Sequence, residues 1–326
     1  MATRELRMSM NVATEALLQV NPKEFYEQAL LENRSSAQFR QVLNIKEKTK
    51  IGSLDFGTLL FPADCTYQGG DSNLGAKEMD VCKIQIGTDL CMYELETSFL
   101  ADWMNAGSNG DWLPAEFANY MYSELSREVS DYLEQLTWQG DTSVTFDAND
   151  PATFIGLCDG LEKQLCGANI PVAQRVSGIA IDSTNVIAEM TKVYNARPAK
   201  VKAQPKTNVS WFVSQNVADA YRLAVALQSA EVYTAQEASL NFLGYELKVA
   251  TGMSDDVMTL SLKDNYVFLA DLVSDPEDLN VIDLSKTTGE KSIRVRSDFK
   301  VGFNYLNDSD GPGENEWVTY GLDCNS

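Results

Sequence analysis

The chain has no histidine among its 326 residues, and this absence limits the chemistry that it can perform. A Ser-His-Asp triad, a Cys-His pair, an HExxH zinc site and a kinase HRD loop all need an imidazole. The six cysteines form no CxxC pair, so a cysteine zinc site is not indicated either. The sequence therefore predicts no catalytic residue, no metal site and no cofactor site.

The segment Gly70–Lys77 comes close to a phosphate-binding loop but has the wrong spacing. Ala76 separates Gly75 from the lysine, and Glu78 stands where a Ser or Thr would bind the metal. Its glycines, with Asp71 and Asn73, are typical of a turn. We interpret the segment as an exposed hairpin tip.

Two further near matches also fail on geometry. Ser297 and Lys300 spell SxxK, but they fall in a predicted strand, where residues three apart face opposite sides. The DSDG run suggests a calcium loop, yet placing Gly311 sixth would make Leu306 the first ligand and Trp317 the twelfth. A hairpin turn is the better interpretation.

Carboxylates are the one catalytic group present in excess, with 47 Asp and Glu. An acid/base pair needs only two of them placed across a substrate. So many acids make any one pair uninformative, and most are expected to form a solvated surface. A carboxylate-dependent hydrolase stays open as an alternative of a different class.

The net charge of -21 predicts that the molecule as a whole repels phosphates. A dedicated DNA-binding role is therefore not expected. One basic stretch, ARPAKVKAQPK, could meet an acidic neighbour or nucleic acid, although a solvated connector is favoured. Its cations are Arg197, Lys200, Lys202 and Lys206.

The N-terminus does not resemble a signal peptide, and no stretch approaches the roughly 20 apolar residues of a membrane span. The cysteines are accordingly expected to be reduced thiols of a cytoplasmic product. We place Cys158 and Cys166 in one helix, about 12 Å apart, which would exclude a disulfide between them.

The N-terminal half predicts an arm, a hairpin and a long helix. Pro22 and the spacing of Phe25, Ala29 and Leu30 indicate a short helix over residues 23–31 within the arm. From Ile51 to Leu95, β-like runs flank YQGGDSNLGAKEMD, which indicates a projecting hairpin. The long helix opens at Pro114, and Gly140 ends it. Its apolar positions are Phe117, Met121, Leu125, Val129, Leu133 and Leu136, with Glu134 among the acids between them.

The C-terminal half alternates predicted helices and strands, as in an α/β or α+β domain. A helix capped by Asp150 ends at Gly167, and VSGIAI follows as a strand. A helix with Val186, Ile187, Met190 and Val193 inward, the strand NVSWFV and the helix NVADAYRLAVALQ come next. Residues 293–305 alternate as a strand, DSDGPGEN makes a turn, and EWVTYG returns.

This order of elements resembles the major capsid protein of tailed bacteriophages, whose shell fold encapsulins and the herpesvirus capsid floor domain share. The most similar stretch contains SWFVSQNVADAYRLA, FLGYELKVATGMSDDVMTLSLKDNYVFLADLVSD, VIDLS, IRVRSDFKVGFNYL and EWVTYG, from about Ser210 to Tyr320. The N-terminal third matches by architecture alone.

The resemblance implies an α+β fold in four parts. These are an N-terminal arm (1–50), an extended β-hairpin loop (51–95), a peripheral domain (96–149 and 285–326) with a spine helix (114–136), and an axial α/β domain (150–284).

The resemblance also implies a function without catalysis or cofactor. Copies would form hexamers and pentamers of an icosahedral virion capsid around double-stranded DNA, which they would touch only weakly and non-specifically. Portal, scaffold or decoration proteins would be partners, with assembly in the host cytoplasm and no membrane contact. An encapsulin-like compartment is the structural alternative. Some relatives link a lysine of the extended loop to a neighbour's asparagine, a role that Lys77 with Asn304 or Asn307 could imitate.

Overall fold

A computed structural model describes residues 35–45, 47–56, 60, 63, 72–91, 115–167, 174–228, 240–271, 280–284, 288–290, 292–306 and 317–322. The chain divides into two compact units. The first takes its described residues from Cys82–Leu133 and Ala270–Val301. The second takes them from Arg34–Val81, Glu134–Leu269 and Gly302–Ser326. The predicted arm helix and the DSDGPGEN turn lie outside the described residues, and the four predicted parts with their boundaries stay a prediction.

The first unit is built on the long strand that the alternating pattern predicts. β12 (Ser292–Tyr305) pairs antiparallel along Ser292–Val301 with β4 (Cys82–Cys91), and along its other edge with β11 (Asn280–Asp283). The side chains at alternate positions are buried because successive residues of a strand face opposite sides. These are Ile293, Val295, Ser297, Phe299 and Val301, with Phe303 and Tyr305 continuing the series in the second unit.

The outer face of this strand pair is charged. Arg294 stands directly opposite Asp89, and its guanidinium donates two parallel hydrogen bonds of 2.6 Å to the carboxylate. These bonds lower the pKa of Asp89. Because both side chains are about half exposed, the pair fixes register more than it adds stability.

Helix α1 (Ala115–Gln139) confirms the predicted long helix. In the first unit, Val129 is buried and Leu125 half-buried, while Arg127 forms ion pairs with acids of its own face. The last turns, in the second unit, are buried on several faces. Glu134, Thr137 and Trp138 are all buried there, although Glu134 lies between the apolar positions that the sequence pattern identifies.

The second unit contains a six-stranded sheet in the order β5-β13-β9-β6-β8-β7. The strands are β5 (Arg175–Val176), β6 (Val209–Ser214), β7 (Asn241–Phe242), β8 (Tyr245–Ala250), β9 (Met258–Leu262) and β13 (Trp317–Tyr320). β6 and β8 are parallel and are connected through helix α5 (Gln215–Gln228). Helices and sheet together confirm the α+β class.

Two helices pack on this sheet as the sequence predicts. Helix α3 (Val186–Asn195) buries Val186, Met190 and Val193, and helix α5 buries Val217 and Tyr221. They share one apolar core with Trp211, Val213, Met258 and Leu260 of the strands. The 3.6-residue period of each helix thus selects the face that meets the sheet.

The single helix predicted after Asp150 is instead two short pieces. A 3₁₀ helix (Pro151–Leu157), capped by Asp150, is followed by helix α2 (Leu161–Leu165). The break follows from close backbone packing, because the Gly160 amide donates to the Gly140 carbonyl at 2.8 Å. A Cβ on Gly160 would lie 2.6 Å from the Trp138 carbonyl oxygen, so a helix with side chains does not fit there.

The cysteine prediction is wrong for three residues. Cys82, Cys158 and Cys166 are disulfide-bonded, whereas Cys91 is a free thiol. The exclusion of a disulfide between Cys158 and Cys166 assumed one continuous helix, which is absent, and it stays a prediction. The expectation of reduced thiols fails for all three bonded cysteines.

Two strand predictions also need correction. Of VSGIAI only Val176 is in a strand, because the backbone leaves the ladder at Gly178, where a Cβ would lie 2.5 Å from Gly321 Cα. The returning strand β13 exists, but it pairs with β9 and β5 and not with β12.

Candidate functional site

The predicted hairpin is formed by β2 (Lys48–Phe56) and β3 (Ser72–Asp80). They pair antiparallel from Lys48↔Asp80 to Phe56↔Ser72, so the ladder is about 30 Å long at about 3.4 Å per residue. The segment Ser72–Asp80 was predicted as part of the loop tip and is a strand instead. Apart from Leu60 and Ala63, residues 57–71 lie outside the described residues.

The outer face at the base of the hairpin is held by charge pairs. Lys48 Nζ lies 3.0 Å from Glu78 and 3.2 Å from Asp80, and Lys50 Nζ lies 3.7 Å from Glu78. The neighbouring lysines lower the pKa of Glu78. Cross-strand pairs of opposite charge favour this register, which compensates for the weak strand propensity of β3.

The inner face at the base of the hairpin is apolar. Met79 is fully buried in a small core with Ile45, Val267 and Leu269. The last two belong to β10 (Tyr266–Ala270). Gly302 brings β12 so near that a Cβ there would lie 2.5 Å from the Asp80 carbonyl oxygen. The base is therefore fixed by packing.

Lys77, the lysine considered for a cross-link, lies on this inner face. Its ammonium group sits 3.1 Å from the centre of the Tyr305 ring, a cation–π contact within one copy of the chain. Asn304, next to that ring, accepts a hydrogen bond from the Tyr305 amide at 2.9 Å. Asn307 is outside the described residues, and the cross-link stays a prediction.

The described N-terminal residues are held by a buried carboxylate of helix α1. Glu134 accepts hydrogen bonds from the Ser35 amide at 3.1 Å and from the Ser35 hydroxyl at 2.5 Å. The same hydroxyl accepts a bond of 2.8 Å from Trp138 Nε1. All three side chains are buried. We name this network the Ser35 anchor, and nothing in the local sequence pattern predicts it.

Phe39 completes the Ser35 anchor with an aromatic cluster. Its ring meets those of Trp138, Phe212 and Tyr266 edge-on, with centroids 5.5 to 5.8 Å apart. Such T-shaped contacts add to the burial of the ring. Burial also raises the pKa of Tyr266, whose hydroxyl pairs with Thr259 at 2.5 Å.

The other buried carboxylates also have structural partners. Glu162 of helix α2 accepts bonds from the amide and hydroxyl of Ser254, at 2.8 and 2.6 Å. Burial raises its pKa although both Ser254 bonds act in the opposite direction. Carboxylates that hold backbone and hydroxyl groups in this way position loops, and this arrangement does not resemble an acid/base pair.

Glu189 of helix α3 binds Lys192 and Tyr320. Lys192 Nζ lies 2.7 Å from the carboxylate, and the Tyr320 hydroxyl donates to it at 2.8 Å. Burial opposes the charged form, but the bonds from Lys192 and Tyr320 outweigh it and lower the pKa of Glu189. Burial and this carboxylate raise the pKa of Tyr320 to about 12.

We expect Glu189 to make stability depend on acid pH. Its folded-state pKa lies below the unfolded value of about 4.3, so its contribution is present above that pH and is lost as pH falls through the folded pKa. Urea unfolding at pH 6 and pH 3 should show wild type losing more stability on acidification than Glu189→Gln, which has no carboxylate to protonate. The exposed Glu246→Gln is the control, and equal pH dependence in all three proteins would contradict this role.

Within the described residues, no group of three or more Cys, Asp or Glu is arranged to hold a metal ion. Ser297 and Lys300 lie on opposite faces of β12, as the rejection of SxxK requires, and Lys300 pairs with Asp271 at 3.1 Å. No helix of the described part has the length and apolar content needed to cross a bilayer.

The chain is similar in fold to solved phage structures. A chain of the satellite phage P4 procapsid that includes the size determination (Sid) protein superposes with a TM-score of 0.62 at 12% identity. The match covers 95% of this chain and 90% of that chain. The chain has the fold of a phage major capsid protein.

Other solved structures resemble the chain less strongly. For Mycobacterium phage Adephagia the TM-score is 0.50 at 10% identity, with 87% of this chain and 88% of that chain covered. For the capsid of an empty GTA particle the TM-score is 0.49 at 11% identity, and the match covers 90% of this chain and 88% of that chain. No protein-family model matches the sequence, and no curated protein does. The capsid fold is therefore visible in the structure and not in sequence similarity.

Proposed function

We propose that this chain is a structural subunit that self-assembles into hexamers and pentamers of an icosahedral phage capsid enclosing the genome. The observation that carries the proposal is the match to a procapsid chain over 95% of this chain. The match reaches nearly the whole of both chains. An encapsulin-like compartment would have the same fold and stays the structural alternative.

The hairpin supports self-assembly on physical grounds. Its described base is fixed by Met79 and the Lys48–Glu78 pair, while its ladder continues to Phe56↔Ser72. A two-stranded ribbon is marginally stable in water by itself. Contact with a neighbouring copy would supply the packing that the far part of the ribbon needs.

In this proposal the chain is not an enzyme, and its chemistry is burial between copies. Its partners are other copies, with portal, scaffold or decoration proteins, and packaged double-stranded DNA in weak, non-specific contact. Its location is the virion, after assembly in the host cytoplasm. The described buried carboxylates bind Ser35, Ser254 and Tyr320, which disfavours the alternative of a carboxylate-dependent hydrolase.

Electron microscopy of the purified full chain tests the proposal. We expect shells, rings or tubes that sediment far ahead of a 36.1 kDa monomer. A chain that stays monomeric at every protein and salt concentration would overturn the proposal and favour the alternative of a carboxylate-dependent hydrolase. Shells that enclose cargo enzymes and no DNA would favour the encapsulin-like alternative.

A further inference from the structure

One stretch of this acidic chain has no acidic residue. From Met190 to Ala218 the sequence contains no Asp or Glu, although the whole chain has 47 of them against 26 Lys and Arg. The stretch Arg197–Lys206, which we name the basic connector, lies inside it. The connector has four cations, Arg197, Lys200, Lys202 and Lys206. Its charge is thus opposite to that of the molecule.

The basic connector is an ordered surface. Val201, in the short helix α4 (Ala199–Ala203), is fully buried and fastens the connector to the apolar core of the sheet. On either side of it, Lys202 and Lys206 are exposed and Lys200 is half-buried. Lys206 Nζ donates to the Leu243 carbonyl at 2.6 Å, which fixes the second end of the connector.

Arg197 is held in place at the first end of the connector. Its guanidinium carbon lies 3.4 Å from the centre of the Tyr194 ring, and Nε donates to the Tyr194 carbonyl. Nη1 donates to the Tyr245 hydroxyl at 2.5 Å. An arginine stacked and bonded in this way loses little further freedom when it binds a planar anion.

The cations of the basic connector have no acidic partner among the described residues. Nearby Lys192 does pair, with Glu189 at 2.7 Å, but no carboxylate of the described part lies within 4.0 Å of the connector's charged nitrogens. Glu246 in β8 and Asp264 in the turn after β9 interact electrostatically with Lys248. Neither forms an ion pair with the connector. Four positive charges are therefore available to an outside partner.

We propose that the basic connector binds an acidic surface on a second copy of this chain. This inference rests on the proposed function, because copies with a net charge of -21 repel one another unless opposite charges meet where they touch. A second copy fits better than DNA. Four cations can neutralise about four phosphates, while the other phosphates of a duplex would face an acidic protein.

The test compares assembly of two charge-reversed variants of the full chain. Lys200→Glu with Lys202→Glu reverses two of the connector's four charges and leaves it with no net charge, and Arg40→Glu with Lys83→Glu is the control. Both control residues are exposed and form no ion pair within the described residues, and both doubles lower the net charge equally. We expect the subunit concentration for half-assembly, measured by light scattering, to rise about tenfold for the connector double beyond any rise in the control.

Folding and DNA binding are measured on the same samples. Circular dichroism should be unchanged, and the milder Lys200→Gln with Lys202→Gln should raise the half-assembly concentration about threefold. Equal assembly by connector and control doubles would overturn the inference. The inference would also be overturned if the connector double assembled normally but no longer bound a short DNA duplex. That result would mean that the connector binds nucleic acid. A wild-type chain that never assembles would instead refute the proposed function, on which the inference rests.

Discussion

Replacing Phe39 by alanine should destabilise the subunit by about 3 to 5 kcal/mol, the range for removing a large buried aromatic side chain. Phe39 is buried and touches three aromatic rings, so the change leaves a cavity beside Trp138 and Phe212. The cluster also joins the N-terminal segment to helix α1. Urea unfolding of the dissociated subunit, followed by tryptophan fluorescence, measures the loss of stability.

The matched control for this experiment is Phe146→Ala. The Phe146 side chain is 50% exposed, so its removal should change stability by no more than about 0.5 kcal/mol. Similar losses for the two variants would mean that the Phe39 cluster adds nothing specific. A loss for Phe39→Ala alone supports the Ser35 anchor as part of the folded core.

Gly252→Ala should cost about 3 kcal/mol because the new methyl group has no space. An added Cβ would lie 2.1 Å from the Glu134 carbonyl oxygen and 2.3 Å from its carbon. These are backbone atoms of helix α1, so no side-chain rotation can relieve the overlap. The shift would also weaken the 2.9 Å bond from Gln139 Nε2 to the Gly252 carbonyl. Thermal unfolding of the variant measures the effect.

Gly87→Ala is the control for Gly252→Ala. At Gly87 the nearest atom to an added Cβ is Gln85 Nε2 at 3.9 Å, which is ordinary contact. Alanine is preferred to glycine within a strand, so stability should stay the same or rise slightly. If Gly252→Ala melted at the wild-type temperature, the close approach of this loop to helix α1 would be disproved.

The sequence predicts the elements whose signal is local. The alternation of residues 293–305, which is strict at first, identifies β12 and its buried face, because a strand repeats every two residues. Helices α1, α3 and α5 are predicted by apolar residues at helical spacing. The fold class follows from the order of these elements.

The missed features depend on partners far away in the chain. Glu134 lies between the apolar positions of its helix, a pattern that predicts exposure. It is buried instead and binds Ser35, 99 residues away. β3 has turn-forming residues, and only its pairing with β2 makes it a strand. The helix break before Leu161 results from the contact of Gly160 with Gly140. A single sequence contains no local signal for any of these contacts.

The most direct test of the central claim is cryo-electron microscopy of particles assembled from the purified full chain. We expect closed shells of pentamers and hexamers, with the β2–β3 ribbon lying against a neighbouring copy and the Ser35 anchor intact in each subunit. Particles in which the ribbon touches no other copy, or a chain that stays monomeric under all assembly conditions, would contradict the role of a capsid subunit.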